Sequence, residues 1–349
     1  MSAEIEIAGR RIGPARPPYV ICELSGNHNG SLDRMLALID AAAATGADAI
    51  KVQTYTPDTL TIEHDGPDFR IKGGPWDGRT LYDLYGEAHT PFEWHEAMFA
   101  RAKELGVVLF STPFDETATD LLDDLGAPAF KIASFEVIDH ALIAHAASKG
   151  KPMIMSTGMA NLAEIQSAVT TARGAGCDQI ALLHCISSYP APVEQANVAT
   201  VPHLGAAFGC VSGLSDHTLS DGAAVASIAL GGSVIEKHFT LARADGGPDA
   251  AFSLEPEEFT RLVKNCNDAW AARGQVSYDL AGAERGSTVF RRSVYAVADI
   301  AEGDRFSDQN TRSIRPGFGM PPAELPRIRN SRAARAIARG TPITPDLLA

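Results

Sequence analysis

Cysteine is sparse and unpatterned: Cys22, Cys177, Cys185, Cys210 and Cys266 are five in 349 residues, an odd number with no CxxC spacing. That argues against a disulfide framework or a cysteine zinc site and fits reduced thiols in a cytoplasm. A chain of this length buries a core large enough to need no such staples. Long apolar runs are also missing, none reaching the ~18 residues that cross a bilayer. The opening MSAEIEIAGRRIG lacks the apolar stretch of a secretory leader, so a cytoplasmic location without membrane contact is predicted. No GxGxxG fingerprint follows a strand, which disfavours a doubly wound dinucleotide fold. Positive charge is in deficit, with 30 Lys and Arg against 43 Asp and Glu and a net charge of −13. A nucleic-acid partner is therefore not expected.

The deficit is uneven. Residues 291–349 hold no Lys but ten Arg against six acids, 10 − 6 = +4, leaving −13 − 4 = −17 on the rest. A solvated basic face accounts for most of those arginines. The asymmetry still predicts a separate C-terminal unit that serves an anion or docks on an acidic neighbour.

What is present is alternation. Short apolar or β-branched runs at 19–25, 49–55, 107–113, 129–134, 152–158, 179–186, 211–217 and 233–240 read as strands. Between them lie amphipathic stretches such as 32–46 and 162–176, each closing on Gly, and 255–274 reads as a closing helix. Eight βα units over ~250 residues predict an α/β fold, a (β/α)₈ TIM barrel. The 56–90 connection is too long for a turn and reads as a loop over the barrel mouth or a hidden hairpin. After residue 275 the pattern changes: IAEGDRFSDQN (300–310) and IARGTPITPDL (337–347) align as a weak repeat, with Ile300/Ile337 and Gly303/Gly340 in register. The domains expected are a barrel over 1–275, a linker over 276–289 and a small β-rich domain over 290–349.

Catalytic groups of such barrels sit at the C-terminal ends of the strands, and polar residues gather there. Glu23, Ser25, Lys51, Gln53, Ser111, Thr112, Lys131, Ser134, Ser156, Thr157, His184, Ser187, Ser215, Asp216, His217, Glu236, Lys237 and His238 all lie at or just past strand ends. One such residue is more often a snorkelling or packed side chain than a functional one. Eight strands ending this way are not explained by packing, since each buried polar group left unpaired costs roughly 1–3 kcal/mol. Lys51 and Lys131, with the hydroxyls of Thr112, Ser134, Ser156 and Ser215, suit a phosphate and a carboxylate. His217 and His238 end adjacent strands and can share one ion. Imidazole pairs with carboxylate or water suit Mn²⁺, Fe²⁺ or Zn²⁺ alike. Glu23 and Asp249 are candidate general bases or metal-water partners.

The segments ELSGNHNGS (23–31), KVQTYTPDTLT (51–61), FSTPFD (110–115), KIAS (131–134), STGM (156–159), LLHCISSYP (182–190), GLSDHT (213–218) and EKHFTLARADGGPD (236–249) together resemble the N-acetylneuraminate synthase family. FRRSVYAVADIAEGD (290–304) and IRPGFG (314–319) resemble its antifreeze-like SAF domain. The resemblance implies condensation of phosphoenolpyruvate with the open-chain aldehyde of an N-acetylated amino sugar, phosphate leaving by C–O cleavage. By motif, Lys51, Thr112, Lys131, Ser134, Ser156, Ser187 and Ser215 would hold phosphoenolpyruvate. His217 and His238 would bind a divalent metal, Mn²⁺ or Mg²⁺, with no organic cofactor. Glu23 would activate water at C2, while Gln53, Tyr189, Glu236 and Asp249 would surround sugar and metal. The family is usually a domain-swapped homodimer, in which Arg315 would reach into the partner's site.

The sialic acid branch typically carries HCTN where this chain has HCIS, so Ser187 replaces an Asn. Tyr55 within TPDTLT, the TLYDLYGEAHTP segment (80–91) and KIASFE resemble the pseudaminic acid branch. Its acceptor is 2,4-diacetamido-2,4,6-trideoxy-L-altrose. The alternative acceptors are N-acetylmannosamine and the diacetamido sugar leading to legionaminate. A sugar- or ice-binding tail on a degenerate barrel is disfavoured by the intact Glu23, Lys51, Lys131, His217 and His238.

Overall fold

The computed structural model describes residues 3–349, which divide between Gly274 and Gln275 into two compact units. The first opens on an antiparallel hairpin, β1 (Ile5–Ile7) and β2 (Arg10–Ile12). Eight parallel strands follow: β3 (Tyr19–Glu23), β4 (Ala49–Thr54), β5 (Val108–Pro113), β6 (Phe130–Ile132), β7 (Met153–Ser156), β8 (Ile180–Cys185), β9 (Val211–Asp216) and β10 (Val234–His238). They pair in chain order and β10 returns to β3, closing the barrel. Each lies within the run read from the sequence, trimmed by one to three residues at its ends.

Local chemistry explains the helices between them. In Leu32–Ala44 the buried residues Met35, Leu38, Ile39 and Ala42 recur at helical spacing, and the Ser31 hydroxyl accepts from Arg34 N. Leu162–Gly174 repeats the plan with Ile165, Ala168, Val169 and Ala172 buried and an Asn161–Glu164 capping box. Gly46 and Gly176, which terminate these stretches, have φ of 82° and 100°, a region where a side chain would be strained.

Inside the barrel, Tyr19, Ile21, Ala49, Phe110, Ile154, Leu183, Val211 and Val234 form one apolar cluster with Ile5, Ile7 and Ile12 of the hairpin. The hairpin is thus packed onto the base of the interior, and apolar filling stops short of the strands' C-terminal ends. The long connection folds as short helices Pro57–Leu60 and Leu81–Ala88 flanking a small hairpin bridged at Arg70 and Thr80. Both alternatives raised for this segment therefore apply, because Trp76 at the hairpin tip donates its indole N–H to Pro248 O at 2.8 Å.

In the second unit β11 (Ser293–Ala296) pairs with β12 (Thr311–Ile314). The weak repeat has a structural meaning here. Ile300 and Ile337 exchange both backbone hydrogen bonds, 2.9 and 2.8 Å. Residues 37 positions apart repeat each other's partners: Gly303 N bonds Ala333 O and Gly340 N bonds Ala296 O, each at 2.8 Å. Two half-domains are thus related by a pseudo-two-fold through the Ile300–Ile337 pair. Their shared core includes Val294, Phe306, Ile328, Ile343 and Leu347.

Candidate active site

Side chains alternate across a strand, and closure sorts the polar strand ends into two sets. The outward set makes structural contacts. Lys237 Nζ pairs with Asp216 at 2.6 Å and donates to Ser220 O at 3.0 Å. His184 Nε2 lies 2.9 Å from Ala196 O, and Ser111 joins Thr54 at 2.6 Å, which in turn meets His95 at 2.7 Å.

The inward set forms one connected network. Lys51 Nζ lies 2.6 Å from Glu23 Oε2 and 3.8 Å from Glu236 Oε1, and donates to Thr112 Oγ1 at 3.1 Å. Lys131 Nζ lies 3.6 Å from the same Glu236 oxygen and donates to Ser156 Oγ at 2.7 Å. Ser215 Oγ donates to Glu236 Oε1 at 3.1 Å, and Gln53 Nε2 donates to Glu23 Oε1 at 2.9 Å. Two ammonium groups and two carboxylates are therefore buried together.

Their protonation follows from the neighbours. Burial raises the Glu23 carboxyl, with Glu236 adding to the effect and Lys51 opposing it. Burial acts the same way on Glu236, but Lys131 and Lys51 outweigh it and hold Glu236 below the ordinary carboxylate range. Glu236 is thus the fixed anion and Glu23 the group able to hold a proton. Burial pushes Lys131 down, whereas Glu23 and Glu236 keep Lys51 up against burial.

Beside this floor, Ser134 Oγ accepts from Gly158 N at 3.1 Å. A Cβ on Gly158 would fall 2.7 Å from Ser134 Oγ and within contact-violating range of Ser187 Oγ. The two serines therefore share a cradle that only glycine leaves open.

The other wall is aromatic. Tyr189 lies 4.3 Å from His217 and 5.1 Å from Phe252, ring centre to ring centre, and Trp76 lies 5.8 Å from Tyr189. The His217 and His238 rings are 5.4 Å apart. His217 Nδ1 lies 2.9 Å from Ile186 O, a contact that assigns its proton to Nδ1 and leaves Nε2 free as a ligand. Burial drives His238 well below its ordinary value, so its ring is neutral. Among the described residues no three His, Cys, Asp or Glu side chains form a metal cluster. The pair nonetheless fits a divalent cation completed by water or substrate oxygen, since His238 Nδ1 and Glu236 Oε2 are buried without a hydrogen-bond partner.

Asp249, from the loop after β10, accepts from the Ser25 hydroxyl and from Gly26 N at 3.4 Å. Burial raises its carboxyl and these two donors oppose the rise. Arg315 lies in the second unit, exposed, beside Arg292 and Arg312.

Two residues carried no role from the sequence. Glu136, within KIASFE, keeps Oε2 buried without a partner, and burial pushes it up to about 7. Its only sequence signal was its place two residues past the run 129–134 read as a strand. Trp76 had none, being brought to the mouth by the hairpin.

Residues 38–278 match the NeuB family and residues 291–349 the SAF domain. The pseudaminic acid synthase of Campylobacter jejuni is 41% identical over 322 residues, 92% of this chain and 94% of that one. That of Helicobacter pylori is 37% identical over 332 residues, 95% of this chain and 98% of that one. A crystal structure of N-acetylneuraminic acid synthetase from Leptospira borgpetersenii, in complex with citrate, superposes with a TM-score of 0.74 at 29% identity, covering 82% of this chain and 95% of that one.

Proposed function

Because the chain belongs to the NeuB family and carries a C-terminal SAF domain, we propose that it catalyses the pseudaminic acid synthase reaction. Phosphoenolpyruvate condenses with 2,4-diacetamido-2,4,6-trideoxy-L-altrose to give pseudaminate and phosphate. The observation that carries the reading is the pair of buried ammonium groups, Lys51 and Lys131, on either side of Glu236. Two fixed cations beneath a hydroxyl-lined mouth suit a substrate bearing both a phosphate and a carboxylate. The choice of acceptor rests on the identity to the Campylobacter and Helicobacter enzymes.

In this mechanism Lys51, Lys131, Thr112, Ser134, Ser156, Ser187 and Ser215 hold phosphoenolpyruvate. Its negative charge compensates the ammonium groups. Gln53, Tyr189, Glu236 and Asp249 surround the sugar, whose aldehyde meets C3 as the new C–C bond forms. Burial raises the Glu23 carboxyl above its ordinary range and makes it a stronger base, and it takes a proton from the water that adds at C2. Collapse of that adduct then breaks the C–O bond and releases phosphate. His217 and His238 would hold Mn²⁺ or Mg²⁺, which supplies Lewis-acid polarisation of the aldehyde oxygen.

The enzyme acts as a domain-swapped homodimer in the cytoplasm, Arg315 of one copy gripping the acetamido group in the other. Exposed Phe135, Ile138, Met159 and Leu162 after β6 and β7, and Phe290 and Phe318 in the second unit, support such an association. Among the described residues no helix is long and apolar enough to cross a membrane.

The test is phosphate release from phosphoenolpyruvate with three acceptors in competition: the L-altrose sugar, N-acetylmannosamine and the legionaminate precursor. Release that needs the L-altrose sugar and stops with EDTA is expected. Release without any sugar, or a preference for another acceptor, overturns the assignment at the level of class or of acceptor respectively.

A further inference from the structure

Ser25, two residues past β3, has φ of +46°, the left-handed region that L-residues avoid because Cβ crowds the next carbonyl. Glycine would adopt it freely, yet a serine stands there, only 4% exposed. Strain of this kind persists where surrounding contacts hold it, and here they are specific. Gln53 Nε2 donates to Glu23 Oε1 at 2.9 Å and to Ser25 Oγ at 3.0 Å, committing both protons of its amide. Ser25 Oγ, already an acceptor, directs its single proton to Asp249 Oδ2. A chain Glu23–Gln53–Ser25–Asp249 therefore links the proton-exchanging carboxylate to the loop after β10. Among the described residues only Ser25 and Gly26 donate to the Asp249 carboxylate, both to Oδ2, so Oδ1 is left for another donor.

We propose that Ser25 is a positioning residue of the condensation: its strained backbone aims the hydroxyl that fixes Asp249, so that Asp249 Oδ1 receives a hydroxyl or amide N–H of the acceptor sugar. The inference rests on the functional reading above. It separates the two substrates, because phosphoenolpyruvate is held by the lysines and serines of β4 to β9, which Ser25 does not touch.

Ser25→Gly removes the hydroxyl and relieves the backbone, so a fold-only role and a positioning role predict opposite results. Full-length wild type, Ser25→Gly and Ser25→Asn are compared by thermal midpoint and by steady-state phosphate release with each substrate varied in turn. Ser25→Gly is expected to melt at or above the wild-type temperature. Its kcat/KM for the acceptor should fall about 10–100-fold, the scale of a displaced contact, with KM for phosphoenolpyruvate changed less than about 2-fold. Ser25→Asn, which tolerates left-handed φ and keeps a donor, should recover part of the loss. Unchanged acceptor kinetics in Ser25→Gly overturn the inference, as does a loss shared equally by both substrates or accompanied by a lower melting point. A wild type that releases no phosphate with any acceptor overturns the functional reading and this inference together. An active wild type with an indifferent Ser25→Gly removes the inference alone.

Discussion

Glu23 and Lys51 are direct neighbours in the register of β3 against β4, and their charged ends meet at 2.6 Å with the two side chains 1% and 5% exposed. A buried ion pair contributes little net stability because desolvation offsets the attraction, whereas breaking one by removing a single partner is costly. The pair is better understood as a site held ready for a third charge.

Glu23→Gln keeps the shape of the side chain and one acceptor oxygen, so it retains only one of the Gln53 and Lys51 contacts, and it cannot take up a proton. Its kcat should fall about 10²–10⁴-fold, the range for a general base, with KM for phosphoenolpyruvate little changed. Steady-state kinetics check this; a raised KM with unchanged kcat would assign Glu23 to binding alone.

Gly158→Ala inserts a Cβ 2.7 Å from Ser134 Oγ and closer still to Ser187 Oγ. Overpacking of this kind costs about 1–3 kcal/mol, and here it displaces two hydroxyls of the cradle. A rise of at least about 10-fold in the Kd for phosphoenolpyruvate is expected. Isothermal titration with phosphoenolpyruvate alone measures it.

Glu136 titrates at about 7 in the fold against an ordinary 4.5. Between those values the native state holds a proton that the unfolded chain has lost. The stabilisation is therefore full below pH 4.5 and is lost as pH rises through 7. At about 1.4 kcal/mol per unit, Glu136→Gln should be more stable than wild type by about 2–3 kcal/mol at pH 8, with the gap shrinking toward pH 5. Urea midpoints across that range show whether it does.

His238→Ala removes the imidazole that burial keeps neutral at the mouth. Most turnover should be lost, and the residual rate should no longer respond to EDTA or to added Mn²⁺. A variant that retains full, chelator-sensitive activity would show that the metal is held elsewhere.

The legibility of this protein varies with the range of the interaction. Alternating apolar runs and capped helices such as 32–44 could be read directly, because period and capping are set by residues a few positions apart. The inward set could be partly read the same way: Glu236 and His238 share one parity of β10 and Lys237 the other. The Ile300/Ile337 repeat showed as a faint alignment whose meaning, a pair exchanging backbone hydrogen bonds, required the fold. Glu136 and Trp76 gave no adequate signal, since each acquires its place only when its loop folds over the mouth.

The sequence by itself therefore determined the eight βα units, the separate basic tail and the residue types at the strand ends, all products of local periodicity and composition. Tertiary structure alone decided that Ser25 would meet Asp249, 224 positions away, and that Glu236 would lie between Lys51 and Lys131. Those contacts exist only once β10 closes against β3. Closure and its register are set by the packing of the whole interior, which no short stretch of the chain encodes.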